Sequence, residues 1–336
     1  MLRSMARKII PSAHQKQFAS LCVPVLACLA MLSAAPAHAD DSNALVIYPA
    51  YGDARAAVVE GRVIEERGAA APGAGDSWWR NLLSNARLMI NSEREHARVT
   101  LEVAGREFQV RTDEEGYFRQ AVAGMPALAP GWHTVRGRAG AAAAAGRLLI
   151  VPADNTVGVI SDLDDTLLVT EVNSKRALLA NTFLKNPRQR EAVAGAAQYI
   201  RALAARNPQP ASAPVIYLSA TPRQLQGNLL EFLQQNGFPP GVLLTKRVTN
   251  DRTSDPIADQ VAYKSAKLEE IFARLPHVRF VLMGDDGESD PEIYQRMRDR
   301  YPLRVEKILI RRVNPDPARA VIGGQLKMKD EIGSLR

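Results

Sequence analysis

The sequence predicts an α/β domain built on a parallel sheet, preceded by a smaller β-rich domain. From Asn155 onward, short apolar strands alternate with helical segments, which is the pattern of βαβ units. From about Asp40 to Asp154, apolar and polar residues alternate at strand period. The 336 residues are enough for two domains with separate cores. We therefore expect a β-sandwich-like domain over residues 40–154 and a Rossmann-like parallel sheet over 155–336.

Residues 1–39 have the three parts of a secretory signal peptide. Four basic residues precede an apolar run from Leu21 to Ala35, and Ala37-His38-Ala39 matches a small-residue cleavage site. The alternative is a retained membrane anchor, but the run is short for a bilayer span. Cleavage would remove both cysteines, Cys22 and Cys28, and would leave 39 basic against 36 acidic residues, a net charge of +3 instead of +7. We expect a periplasmic or secreted protein.

The β-rich domain has a helical pattern inserted in it. Strands are predicted over 58–64, 97–103, 106–111 and 148–151. Ala104-Gly105 favours a tight hairpin, which suits an antiparallel sandwich. Apolar residues from Trp79 to Ile90 recur at helical spacing and predict an amphipathic insertion over 77–91. That helix either packs on the sandwich or lies at a lipid headgroup boundary, with Trp78 and Trp79 as anchors.

The second domain alternates predicted strands with four predicted helices. The helices span 191–203, 223–235, 264–275 and 291–300. Pro222 and Gly237 bracket the second of them, at favoured starting and ending positions. Only about fifty residues separate the first acidic motif from Ser219, which leaves room for little or no cap domain. We therefore expect an open site, as a membrane-embedded substrate requires.

The first strand of this domain runs directly into two acids at alternating positions. The strand that begins at Val157 is followed by Asp162 and Asp164, with Thr166 two residues further on. Residues i and i+2 of an extended chain point the same way, so both carboxylates face one point beyond the strand. Open parallel sheets bind ligands there. One acid can attack phosphorus while the other moves protons; the alternative is an acidic, solvated turn.

Three later segments supply the remaining parts of a phosphoryl-transfer site. A second strand ends in the hydroxyl of Ser219, and a third ends in Asp285 and Asp286, with Asp290 close behind. Lys264 lies in the predicted helix before the third strand. This order of acids, hydroxyl, lysine and acids resembles the haloacid dehalogenase superfamily of aspartate-nucleophile phosphatases. The resemblance implies a haloacid-dehalogenase-like fold.

Longer matches resemble one family within that superfamily. The sequences ISDLDDT at 160–166, NTFLKNP at 181–187, SATP at 219–222 and GDDGESDPEIY at 284–294 are similar to a phosphatidate phosphatase family typified by a fungal actin-patch protein and related to the lipins. Residues 112–118 and 131–133 resemble that family's amino-terminal domain. Family members often carry Ser-Pro-Trp after the second strand, whereas this chain has Thr221-Pro222-Arg223. A cation replaces an aromatic residue beside the site, which bears on the substrate head group.

These observations assign a role to each candidate side chain. Asp162 comes first after the strand and is expected to be the nucleophile, while Asp164 acts as general acid and base. Mg2+ would be held by the Asp162 and Asp285 carboxylates and the Asp164 backbone carbonyl. Ser219 and Lys264 would bind the phosphoryl group. Lys267 lies on the same helix face as Lys264 and is the alternative lysine.

Further residues are expected to support these groups. Thr166 would cap the loop beside the nucleophile, and Asp290 would anchor Lys264 or a metal-bound water, with Asp286 as the alternative. Arg223 is expected to be a surface residue at a helix start. The histidines show no metal-ligand spacing, which predicts that there is no zinc site.

The leading hypothesis is a Mg2+-dependent phosphatase that converts a lipid phosphomonoester, phosphatidate, to diacylglycerol. The substrate comes from the resemblance, since the residues themselves indicate only phosphomonoester hydrolysis. Hydrolysis of a soluble phosphomonoester and a non-enzymatic phospholipid-binding module are the alternatives. Peripheral contact with a membrane surface is compatible with the first. The small net charge after cleavage argues against nucleic acid as the main partner, and no protein partner is inferable.

Overall fold

The computed structural model describes residues 42–66, 95–122, 128–169, 191–247, 259–314, 316 and 318–334. Several predictions lie outside the described residues: the signal peptide over 1–39, the helical insertion over 77–91, and the 181–187 motif. The expected absence of a cap domain also depends on residues 170–190, which are not described. These expectations, like the domain boundaries, stay predictions.

The N-terminal region forms one eight-stranded sheet. Its strands are β1 (Ser42–Ile47), β2 (Ala50–Gly52), β3 (Ala57–Glu66), β4 (Arg98–Val103), β5 (Arg106–Arg111), β6 (Tyr117–Ala121), β7 (Gly131–Ala139) and β8 (Ala142–Ile150). Their order is β1-β3-β2-β8-β7-β4-β5, with β6 paired to β3. The pairs are antiparallel except that β2 runs parallel to β8, with Tyr51 opposite Leu149. The expected antiparallel arrangement is confirmed for the other pairs, and the β2–β8 pair is an exception, because strand periodicity gives no information about a partner's direction.

Strand β1 packs across β7 and β8, which gives the sheet its sandwich-like shape. A Cβ on Gly137 would lie 2.8 Å from the side chains of Leu45 and Ile47, and one on Gly146 would lie 2.3 Å from Ile47. The absence of a side chain at both positions lets β1 approach closely. The enclosed apolar core includes Leu101, which is fully buried.

The C-terminal region forms a six-stranded sheet in which all paired strands are parallel. Its strands are β9 (Val157–Asp162), β12 (Val215–Pro222), β13 (Val242–Lys246), β14 (Arg279–Asp285), β15 (Val305–Arg311) and β16 (Leu326–Lys327). The order is β13-β12-β9-β14-β15-β16, so the chain turns to opposite sides of β9. A short antiparallel pair, β10 (Leu168–Val169) with β11 (Glu191–Ala192), lies after β9. The predicted α/β parallel sheet is confirmed, and its order reverses at the strand that carries Asp162.

Helices cover both faces of this sheet. They are α1 (Ala196–Ala204), α2 (Gln226–Gln235), α3 (Gln260–Arg274), α4 (Asp290–Arg300) and α5 (Met328–Gly333). One buried cluster contains residues of α1, α2 and α5, and the other contains residues of α3 and α4. The second cluster also includes Tyr51 and Leu149 from the N-terminal sheet. None of the described helices is long and apolar enough to cross a bilayer.

The starts of all four predicted helices are shifted in the structure, and two of them are shifted by four or more residues. The first begins at Ala196 instead of Glu191, because Gly195 adopts a left-handed conformation (φ 81°) and Glu191–Ala192 pairs as β11. The third begins at Gln260, four residues before the predicted Lys264, because the Asp259 side chain accepts a hydrogen bond from the Ala262 N–H at 2.9 Å. This cap places Lys264 in the second turn of α3 instead of at its frayed end.

Candidate active site

The candidate residues converge at the carboxyl edge of the parallel sheet. Asp162 ends the central strand β9, and Asp285 ends the neighbouring strand β14. Asp290 begins α4, and Lys264 reaches the same point from α3. All four side chains are buried, although acids and lysines are seldom buried unless they are paired.

Lys264 lies at the centre of this cluster. Its Nζ lies 2.9 Å from Asp162 Oδ1 and 2.6 Å from Asp290 Oδ1, and Glu288 Oε2 lies 3.3 Å away. Glu288 was not among the residues selected from the sequence, although it lies within the matched motif at 284–294. One cation therefore contacts three carboxylates, and Asp285 adds a fourth acid nearby.

Three of these acids have the geometry of a metal site. Single carboxylate oxygens of Asp162, Asp285 and Asp290 lie within 4.8 Å of one another. Asp162 Oδ2 is buried and has no hydrogen-bond partner, which is costly unless a ligand completes it. Oxygen donors in this number suit a hard divalent cation. The predicted metal set contained the backbone carbonyl of Asp164 in place of Asp290, whereas the structure places the Asp290 carboxylate among the candidate ligands.

The electrostatics of the cluster also favour a bound cation. Burial raises the pKa of Asp162 well above its usual value, even though Lys264 opposes the rise. Burial, with Asp290 nearby, raises the pKa of Asp285 to about 8, and burial raises the pKa of Asp290. Lys264 remains charged because its acidic neighbours raise its pKa well above the usual value despite burial. In the absence of a further positive charge, burial therefore favours the protonated form of these acids.

We expect the stability of the metal-free protein to fall as pH rises. These acids have a higher pKa in the folded state than in the unfolded state, where the pKa is about 4. Such acids stabilise the fold fully at pH values below about 4. This stabilisation is lost as the pH rises through the folded-state pKa of Asp285, which is about 8. Melting temperatures measured with EDTA should decrease between pH 5 and pH 8.5. Added Mg2+ should raise them most at the alkaline end, because protons compete with the cation; an increase independent of pH would contradict this linkage.

Asp164 and Ser219 are paired with each other in the structure. Ser219 Oγ donates a hydrogen bond to Asp164 Oδ2 at 3.0 Å, and Thr221 Oγ1 donates to the same oxygen at 3.4 Å. Thr166 Oγ1 donates to Asp285 Oδ2 at 3.4 Å, so it lies beside the acid cluster as expected. The Asp164 carboxylate is thus held by two hydroxyl groups of β12.

The structure separates the alternatives that the sequence left open. Asp286 accepts hydrogen bonds from the backbone N–H groups of Val313 and Asn314 at 2.6 and 2.9 Å, so it fixes a loop and does not contact Lys264. Lys267 forms an ion pair with Glu270 at 3.2 Å outside the cluster. Of the two candidate supporting acids, Asp290 therefore lies in the cluster and Asp286 does not. Of the two candidate lysines, Lys264 lies in the cluster and Lys267 does not.

Arg223 is partly buried, with 11% of its side chain exposed, so the expectation of a surface residue is wrong. Its Nη2 lies 2.7 Å from Glu60 Oε2, and its Cζ lies 5.0 Å from the ring centre of Tyr48. Its Nε donates a hydrogen bond to the Thr245 carbonyl at 3.3 Å. The helix-start pattern gave no sign that the N-terminal sheet packs over this position.

Gly284 sets the position of Asp290. A Cβ on Gly284 would lie 2.5 Å from Asp290 Oδ2 and 2.7 Å from the ring of Tyr294, closer than real contacts allow. The Tyr294 hydroxyl in turn donates a hydrogen bond to the Met283 carbonyl at 3.1 Å. Glycine therefore lets the start of α4 lie directly against the end of β14.

We expect Gly284→Ala to displace Asp290 and to lower activity more than stability. Overpacking of this kind costs about 1–3 kcal/mol, and the shift of Asp290 should reduce phosphate release by more than about tenfold. Gly227→Ala is the matched control, because no atom lies within 4 Å of its added Cβ in helix α2. That change should leave activity intact and stabilise the fold by about 0.5–1 kcal/mol. Equal activities of the two variants would contradict the role given to Gly284.

The parallel sheet carries an acid–lysine cluster where its order reverses, an arrangement consistent with the haloacid-dehalogenase-like fold that the sequence resemblance implied. Residues 157–312 match the family model described as "Phosphatidate phosphatase APP1, catalytic domain". This part of the chain is similar to that family's catalytic domain, and the family resemblance seen in the sequence is confirmed over these residues.

Two curated relatives match a part of the chain of similar length. Phosphatidate phosphatase APP1 of Saccharomyces cerevisiae is 28% identical over 156 residues, which are 46% of this chain and 26% of the relative. An uncharacterized protein of Schizosaccharomyces pombe is 30% identical over 162 residues, 48% of this chain and 26% of that protein. The chain thus spans about a quarter of the length of each relative.

Among solved structures, a chain of a Pnkp1/Rnl/Hen1 complex is 22% identical, with 48% of this chain and 47% of that chain covered. Its TM-score is 0.32, too low to support an argument.

Proposed function

We propose that this protein is a Mg2+-dependent phosphatase that hydrolyses the phosphomonoester of phosphatidate and releases diacylglycerol. The observation that carries the proposal is the buried Asp162–Lys264 pair with Asp285 and Asp290 beside it, at the carboxyl edge of a sheet of the matching family. The family description supports phosphatidate as substrate.

The residues divide the reaction between them. Asp162 Oδ2, which has no hydrogen-bond partner, attacks phosphorus and forms an aspartyl-phosphate as the bond from phosphorus to the lipid oxygen breaks. Asp164 protonates that leaving oxygen and then accepts a proton from the water that hydrolyses the intermediate. Lys264 and the Ser219 hydroxyl stabilise the phosphoryl oxygens. Asp162, Asp285 and Asp290 would hold Mg2+, which supplies positive charge next to the phosphoryl group.

We expect Asp164→Asn to slow hydrolysis by about 10²–10⁴-fold on a substrate with a poor leaving group. Asparagine cannot donate the proton that an alkoxide leaving group needs, whereas 4-nitrophenolate leaves without one. The loss on 4-nitrophenyl phosphate should therefore be much smaller in a single-turnover measurement of the first step. Equal losses on both substrates would argue against Asp164 as general acid.

The direct test of the proposed function is phosphate release from phosphatidate vesicles, compared with water-soluble phosphomonoesters, with and without Mg2+. We expect the highest kcat/KM on phosphatidate and no turnover in EDTA. Faster hydrolysis of a soluble ester would assign the site to soluble substrates. Vesicle binding without any phosphate release would instead assign the protein to the non-enzymatic class.

Export to the periplasm or beyond is part of the proposal, with the apolar segment before Asp40 as its support. Cell fractionation and determination of the mature N-terminus test it directly. A full-length protein in the cytosolic fraction would contradict it.

A further inference from the structure

A cleft with a volume of about 420 Å³ lies between the N-terminal sheet and the catalytic domain, apart from the acid cluster. We call it the cationic cleft, because five basic residues line it: Arg111, Arg119, Arg223, Arg247 and Lys267. Two acids also line it, Glu60 and Asp113. Its lining is therefore positively charged.

The two acids are too few for the cations around them. Glu60 is shared, with Arg223 at 2.7 Å and Arg119 at 3.3 Å. Arg223, assisted by Arg119, keeps the pKa of Glu60 below its usual value despite burial, so this carboxylate is ionised. Asp113 contacts Arg247 at 2.7 Å. Lys267 is also paired, with Glu270 at 3.2 Å. Five cations thus face three carboxylates, and a positive charge remains in a concave surface.

The basic groups at the base of the cleft are held in fixed positions. The Arg223 and Arg247 guanidinium carbons lie 6.0 and 4.3 Å from the ring centre of Tyr117. Arg223 also stacks on Tyr48, and Tyr117 is buried. Planar guanidinium groups held in this way suit the oxygens of a phosphate group, and little conformational entropy is lost when one binds.

The cleft is joined to the candidate active site by short stretches of backbone. Lys267 lies one helical turn after Lys264 on α3. Arg223 follows Ser219 by four residues, and Thr221 between them contacts Asp164. An anion in the cationic cleft would therefore contact the same elements that carry Ser219 and Lys264, without competing for the ligands of a phosphoryl group at Asp162.

We propose that the cationic cleft binds a second phosphate group, distinct from the one that is hydrolysed. Two sources have this chemistry: the phosphodiester head group of a neighbouring anionic lipid, and a phosphate group in solution. Binding there requires no turnover. The site can consequently exist whether or not the proposed phosphatase activity is correct.

The test is calorimetric titration of the full chain with inorganic phosphate in the presence of Mg2+. We expect wild-type protein to bind two phosphates. The Arg119→Gln, Lys267→Gln double variant removes two cleft charges and leaves the Arg223–Glu60 pair in place. The affinity of this variant for one of the two phosphates should be lower than that of wild type by at least about tenfold. Its affinity for the other phosphate should be unchanged.

The matched control is the Arg136→Gln, Arg138→Gln double variant. It removes the same charge from exposed ion pairs with Glu102 and Glu107 on the N-terminal sheet. This variant should bind both phosphates as wild type does. The Lys264→Met variant should lose the other phosphate and retain the cleft phosphate, so a failure of the proposed active site is distinguishable from a failure of the cleft.

A vesicle arm separates the two sources of phosphate. Co-sedimentation is measured with phosphatidylcholine vesicles that contain or lack phosphatidylglycerol, which has no phosphomonoester. If the cleft variant binds the anionic vesicles at least about tenfold more weakly than the control variant, the ligand is a lipid head group. If only the calorimetric affinity falls, the ligand is a soluble phosphate. Unchanged affinities in both measurements, with unchanged melting temperature, would overturn the proposal.

Discussion

Asp162→Asn is expected to reduce phosphate release by more than about 10³-fold while the protein remains folded. An amide is a far poorer nucleophile than a carboxylate, and it is also a weaker ligand for a divalent cation. The change preserves the shape of a side chain that is buried at the end of the central strand. Initial rates on phosphatidate vesicles, with circular dichroism and melting temperature for the same sample, provide the measurement.

Asp165→Asn is the matched control for this variant. Asp165 follows the motif acids in sequence but is only half-buried, and its φ of 57° lies in the left-handed region that asparagine tolerates. Activity of Asp165→Asn should stay within about tenfold of wild type, since surface changes of this kind have small effects. Activity of Asp162→Asn in that same range would exclude the aspartyl-phosphate mechanism.

Lys264→Met is expected to have large effects on both activity and stability. Loss of one group that stabilises transition-state charge typically costs about 10²–10³-fold in kcat. The variant also leaves Asp162 and Asp290 without their buried cation, and breaking such a pair costs about 3–5 kcal/mol. The destabilisation should be larger at pH 8 than at pH 5, because protonated carboxyls need no partner.

Lys307→Met serves as the control for Lys264→Met. Lys307 forms a partly exposed ion pair with Glu331 at 2.8 Å on β15, so its loss should cost at most about 1 kcal/mol. Chemical denaturation at both pH values gives the free energies of unfolding. A Lys264→Met variant as stable and as active as Lys307→Met would place the essential cation elsewhere.

The sequence predicted the parallel sheet and most of the acid cluster because both depend on local order. Apolar strands that end in acids specify where the carboxylates must meet, whatever the detailed packing. The choice between Lys264 and Lys267 could not be made in this way, since both lie on one face of α3. Packing of that helix against β14 and α4 directs one lysine inward, and such contacts join residues far apart in the chain.

Strand alternation does not by itself describe Asp164, because β9 ends at Asp162 and the next residues enter a turn. The Asp164 carboxylate consequently meets Ser219. Arg223 could not be placed from sequence at all, because its partner Glu60 lies 163 positions earlier, on a strand of the other sheet.

The apolar cluster shared by the two sheets restricts which other domains can be joined to this catalytic domain in evolution. Tyr51 of the N-terminal sheet packs into the cluster beneath α3, and Arg274 of that helix stacks on its ring at 4.5 Å. Removing the N-terminal sheet would expose this apolar surface to water behind the helix that carries Lys264. A protein that joins the same catalytic domain to a different neighbour must therefore cover that helix with another surface, or evolve polar residues there. Recombination between such genes is constrained at the interface even where the catalytic residues are identical.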